Sequence, residues 1–184
     1  MELAGRRLEQ ERYCLKKRDE LMLFVTAGEI ERVKFVLGGA KKVDVAMRDF
    51  TGNNLIALAV EADRVFILRQ LIDAGADIDN VDYCGHTPVM IAATHDHVEC
   101  AHLLALCGAP LDRQSRRDGR TALHLACRFG NARSLKVLLD AGARTELTDF
   151  KVLTARDLAD QYHFQDCIDV IDNMPDIAPE MDDE

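Results

Sequence analysis

Apolar residues return along this chain at helical spacing in five separate blocks. Ile30, Val33 and Val36 form the first. Val65, Leu68, Leu71 and Ile72 form the second, and Val98, Ala101 and Leu104 the third. Leu135, Leu138 and Leu139 follow, then Ile168, Val170 and Ile171. Such intervals put one apolar stripe on one face of a helix. A single stripe of this size cannot be buried by one helix pair. Stacked neighbours can bury it, so the pattern predicts an array.

The array has a beat. "DFTGNNLIALAV" from Asp49, "DYCGHTPVMIAA" from Asp82, "RRDGRTALHLAC" from Arg116 and "DFKVLTARDLAD" from Asp149 align with one another. Gly52, Gly85 and Gly119 stand 33 and 34 residues apart, and so do Gly75, Gly108 and Gly142. One extra residue therefore falls between Gly108 and Gly119. Thr87 and Thr121 stand where a hydroxyl would cap a helix N-terminus, with Pro88 in the first turn. Gly75, Gly108 and Gly142 suit left-handed helix ends. Sharp turns between paired helices fall at Gly28, Asp63, Asp96, Gly130 and His163, residue types that tolerate positive φ.

"GHTPVMIAA" and "GRTALHLAC", each followed by a Gly-Ala end, resemble the ankyrin-repeat signature over about Asp19 to Asp172. The resemblance implies an all-α solenoid of about five helix–turn–helix units with short β-hairpin fingers. The units are expected at 19–48, 49–81, 82–115, 116–148 and 149–173. The first lacks the usual opening, and the last has Val152 in place of the finger glycine; atypical ends are expected of such arrays. Residues 1–18 read as a charged extension. Residues 174–184, with two prolines and five acids, read as an acidic disordered tail.

Charge and chemistry narrow the function. The 184-residue chain has a formal net charge of −9, which argues against general nucleic-acid binding. No apolar run is long enough to span a membrane, and the N-terminus lacks a signal-peptide core. An intracellular setting, cytoplasmic with the nucleus open, is the expectation. The six scattered cysteines then read as reduced core residues. His95, Asp96, His97, Cys100 and His102 gather zinc-type donors, but Cys100 belongs near an apolar stripe and the histidines diverge, so no metal site is expected. His124 reads as a lock on the Thr121 helix start. No nucleophile, phosphate loop or acid–base pair is set up for catalysis, so neither enzyme activity nor a cofactor is expected.

Against the acidic background, Arg113, Arg116, Arg117, Arg120 and Arg128 crowd one stretch. The ankyrin resemblance implies recognition through fingertips and the concave inner-helix face. It places Phe50, Tyr83, Arg116, Arg117, Phe150 and Lys151 on fingers, and His86, His95, Arg120, Arg128, Phe129 and Tyr162 on the inner face. Two readings stand for these residues. The aromatics pack on neighbouring fingers and the arginines pair with Asp112, Asp118 and Glu146, or both meet a partner. Tyr and Arg are enriched in binding hot spots, so the surface as a whole reads as a protein-binding one. The expected partner carries an acidic or phosphorylated patch, and the chain is expected to be a monomeric adaptor or regulatory subunit. Narrower alternatives implied by the resemblance are a kinase-regulating subunit and a nuclear transcription cofactor.

Overall fold

The computed structural model describes residues 19–38, 48–49 and 52–173. The expected extension at 1–18 and tail at 174–184 lie outside them. Helix α1 occupies 19–27. Then come α2 (Ile30–Leu37), α3 (Leu55–Glu61), α4 (Val65–Asp73), α5 (Pro88–His95), α6 (Val98–Leu106), α7 (Ala122–Phe129), α8 (Ala132–Asp140), α9 (Ala155–Gln161) and α10 (Gln165–Asp172). They pair in order. The first-of-pair helices α3, α5, α7 and α9 pack side by side in one layer, and α2, α4, α6, α8 and α10 in the other. This is an all-α solenoid.

The core lies between the layers. Val33, Leu68, Leu71, Ala101, Leu104, Leu135 and Leu138 are fully buried. Leu139 and Ile168 are buried too, and the remaining stripe residues, Ile30, Val36, Val65, Ile72, Val98, Val170 and Ile171, are half-buried at the flanks of the same stripes. A buried leucine contributes about 2 kcal/mol by leaving water. The stack is therefore held by one continuous core to which each unit adds a few such residues.

Polar groups finish the helix ends. Thr87 Oγ1 accepts from Met90 N at 3.3 Å, and Asn54 Oδ1 from Ala57 N at 2.8 Å. At α7, Thr121 N donates to His124 Nδ1 at 3.2 Å, with the Thr121 hydroxyl at 2.8 Å from the same nitrogen. With Nδ1 accepting, Nε2–H donates to Leu153 O at 3.0 Å, which ties α7 to the next unit. Burial holds the His124 pKa below the ordinary imidazole value. His124 is thus the expected lock, with a second bond across the unit boundary.

All five expected turn positions take positive φ, from 53° at Asp63 to 82° at Gly28. Two of the aspartates have further work. Asp96 Oδ1 accepts from Ser134 N at 3.0 Å and Ser134 Oγ at 2.8 Å, so it caps α8 from the preceding unit. Asp63 Oδ1 lies 3.6 Å from His97 Nδ1 and 3.5 Å from Cys100 Sγ at the start of α6.

The fingers differ from the expected β-hairpins. Among the described residues there is no strand, only isolated antiparallel bridges, Arg48 to Asn54 and Thr148 to Thr154. Each finger closes on itself too quickly to build a ladder. Asp82 N donates to His86 O at 3.0 Å, and Asp149 N to Leu153 O at 2.9 Å. In the third finger the loop is one residue longer, from Ser115 N to Arg120 O at 2.9 Å. That absorbs the extra residue between Gly108 and Gly119. The five described cysteines are all free thiols, three of them buried.

Candidate partner-binding groove

The fingers and the first-of-pair helices enclose a groove of about 590 Å3. Its walls include Asp82, His86, His95, Arg117, Asp118, Arg120, Arg128, Phe129, Lys151 and Tyr162. These positions come together because the units repeat. Residues 61, 94 and 128 occupy one register on successive helices, and 95, 129 and 162 the next.

The arginines of the crowded stretch have different fates. Arg113 Nη1 is held by the carboxylate of Asp79. Arg120 is turned inward, its side chain 9% exposed, between Asp118 at 3.3 Å and Asp149 at 3.4 Å. The expectation that Arg120 is an open contact is therefore corrected. Its charge is neutralised within the fold, and it braces the third finger against the fourth. Burial pushes the Asp118 carboxyl upward, but the Ser115 hydroxyl and the Arg120 N–H and guanidinium outweigh it and hold it below the ordinary carboxylate range. Burial likewise opposes ionisation of Asp149, and the Leu153 and Lys151 N–H groups with Arg120 hold its carboxyl low.

Arg116, Arg117, Arg128 and Lys151 form no ion pair among the described residues. Arg128 instead lays its guanidinium 5.5 Å from the centroid of the Phe129 ring. Arg117, Arg128 and Lys151 line the groove beside Phe129, 48% exposed, and Tyr162, 43% exposed. Three of the carboxylates nearby are already engaged. Asp118 and Asp149 hold Arg120, and Asp82 Oδ2 lies 3.3 Å from His86 Nδ1. This part of the groove therefore presents cations that form no ion pair among the described residues, next to aromatic surface.

The fingertip aromatics do two things at once. The Tyr83 ring covers Gly52, and that of Phe150 covers Gly119. Arg116 packs its backbone and Cγ on Gly85 in the same way. Yet Tyr83 and Phe150 stay 72% and 67% exposed, so each packs on its neighbour and still presents its outer side. The two readings of these rings are compatible. Phe50 lies outside the described residues. The residues 95–102 do not assemble a ligand set. His95 stacks on His97 with centroids 5.6 Å apart, Cys100 is buried against Asp63, and His102 is exposed. Burial and the Asp63 charge push the Cys100 thiol up to about 12.

Sequence reasoning missed Asn53, Glu61, Ile91, Thr94 and Leu125 in the groove wall. Glu61 and Thr94 share the register of Arg128, so the same alignment that pointed to Arg128 carries them too.

Residues 66–149 match the family model for ankyrin repeats in three copies. The array belongs to the ankyrin-repeat family. The chain is similar to parts of several larger proteins. The tyrosine-protein kinase HTK16 of Hydra vulgaris is 31% identical over 135 residues, 73% of this chain and 18% of that protein. Inversin of Canis lupus familiaris is 32% identical over 123 residues, 65% of this chain and 11% of inversin. The ankyrin repeat and KH domain-containing protein mask-1 of Caenorhabditis elegans is 33% identical over 116 residues, 63% of this chain and 4% of mask-1. The chain thus spans under a fifth of these relatives. Ankyrin repeats are a protein–protein interaction module. None of the described helices is long and apolar enough to cross a membrane.

Proposed function

We propose that this ankyrin array is a non-enzymatic adaptor or regulatory subunit that holds an acidic or phosphorylated segment of a protein partner in its concave groove. One observation carries the reading: Arg117, Arg128 and Lys151 line the groove without an ion pair, beside exposed Phe129 and Tyr162. A segment bearing carboxylates or phosphates would pair with these cations, and its apolar side chains would cover the rings. The helix stack holds these groups in place before binding, so little ordering entropy is lost. Arg117, Arg128 and Lys151 would repel segments with basic residues there. The reading carries with it a cytoplasmic or nuclear setting, supported by the free thiols, and a monomeric chain.

The test is fluorescence anisotropy with labelled peptides that differ only in charge: acidic, phosphorylated, neutral and basic. Acidic or phosphorylated peptides are expected to bind, with affinity falling as salt rises. Arg128→Glu with Lys151→Glu should weaken binding by at least about tenfold, the equivalent of ~1.4 kcal/mol. Equal binding of all four peptides, or no loss in the double variant, sinks the proposal.

A further inference from the structure

The second finger carries a group of metal-type donors whose joint chemistry the partner reading does not use. Asp82, Cys84 and His86 sit on one five-residue turn, and their carboxylate, thiol and imidazole ligand atoms all lie within 4.8 Å of one another. The backbone fixes that turn. Asp82 N donates to His86 O at 3.0 Å, Gly85 N to Asp82 O at 3.1 Å, and Gly85 sits at φ 84°. Asp82 Oδ1 accepts from His86 N at 2.7 Å, leaving Oδ2 facing His86 Nδ1 at 3.3 Å. The three side chains are half-buried, so they are held yet reachable.

The other fingers serve as internal controls. At the corresponding positions the first has Asp49, Thr51 and Asn53, and the fourth has Asp149, Lys151 and Leu153. The third spaces its residues differently. Only the second finger joins the turn aspartate to a thiol and an imidazole. The turn does not need those two residues to close, since the fourth finger closes with the same backbone bond, Asp149 N to Leu153 O.

We propose that this finger binds Zn2+ through Asp82 Oδ2, Cys84 Sγ and His86 Nδ1. Thiolate, imidazole and carboxylate are the donors zinc prefers, and three protein ligands leave its fourth position open to water or to a partner's side chain. Metal–ligand bonds of about 2.0 to 2.3 Å set tetrahedral donors about 3.3 to 3.7 Å apart. The observed spacing closes to that by side-chain rotation of about 1 Å, without moving the turn. On binding, the thiol gives its proton to solvent, and the imidazole carries its remaining proton on Nε2. The site lies on a finger, not in the 95–102 segment; it shares Asp82 and His86 with the groove wall, but its evidence does not rest on the acidic-partner reading.

Cobalt tests it by its colour. Co2+ is titrated into the purified, reduced, full chain without a histidine tag. One equivalent is expected to raise a thiolate-to-cobalt charge-transfer band in the near ultraviolet, which Zn2+ then bleaches. Cys84→Ser and His86→Ala should each abolish the band and lower Zn2+ affinity by more than about tenfold, with far-ultraviolet circular dichroism unchanged. Cys107→Ser and His102→Ala should keep it. Absence of a thiolate band in the wild type, or a band that survives in folded Cys84→Ser, overturns the site.

Discussion

The two edges of the stack use glycine on the same beat for different reasons. On the finger edge, a Cβ added to Gly119 would collide with the Phe150 ring, besides sitting at φ 73°. On the other edge, at the helix end, a Cβ on Gly142 would meet nothing within 4 Å, and only its φ of 87° asks for glycine. One glycine is there for contact between units, the other for the path of the chain. The fourth finger confirms the division. Val152 stands where Gly119 stood in the third finger, at φ 62° and 76% exposed, with no following finger described to cover it. Without a close neighbour, a side chain fits, and only the backbone strain remains.

That comparison can be broken. Gly119→Ala should cost about 3 kcal/mol, from the left-handed backbone and the collision with Phe150 together. Gly142→Ala should cost only about 1 kcal/mol. Urea unfolding of both variants reads the difference, and equal costs would remove the distinction. Adding Phe150→Ala should relieve part of the Gly119→Ala penalty but none of that at Gly142.

Val152→Gly sharpens the same point from the other side. Relief of a β-branched residue at positive φ, less the added freedom of the unfolded chain, should raise stability by about 0.5 to 1 kcal/mol. A loss on the same unfolding curve would mean that the exposed valine makes a contact worth more than its strain.

The smallest effect concerns how units are joined and is read by pH. His124 is held neutral by burial, with its folded pKa below its unfolded value of about 6.5. As pH falls below that value, the unfolded chain takes up the proton first. The stability His124 confers is therefore complete above about pH 6.5 and lost on the way down to its folded pKa. His124→Gln should flatten the dependence of the urea midpoint on pH below about 6.5. An unchanged slope would show that the imidazole is not the group responsible.

Local rules made most of the fold legible. The positive-φ turns, the Thr87 and Thr121 helix starts and the buried stripe of α8 all follow from residue type and spacing. Pairing across units did not. Arg120 reads as an exposed cation because its second partner, Asp149, lies 29 residues away, and nothing in the spacing says the two meet. Conversely, Arg117 could not be known to lack an ion pair until its neighbours were in place. Asp82, Cys84 and His86 escaped notice as a set because a helical reading looks for donors three or four apart. A tight turn brings alternate residues together.

The cap that Asp96 provides to α8 gives the array a direction in time. Asp96 precedes Ser134 by 38 residues. A ribosome therefore delivers the acceptor well before the helix that needs it. As α8 emerges, the carboxylate that its Ser134 N–H needs is already in the chain, so the costly first turn can close on an existing acceptor. Growth from the N-terminal side is in this respect templated.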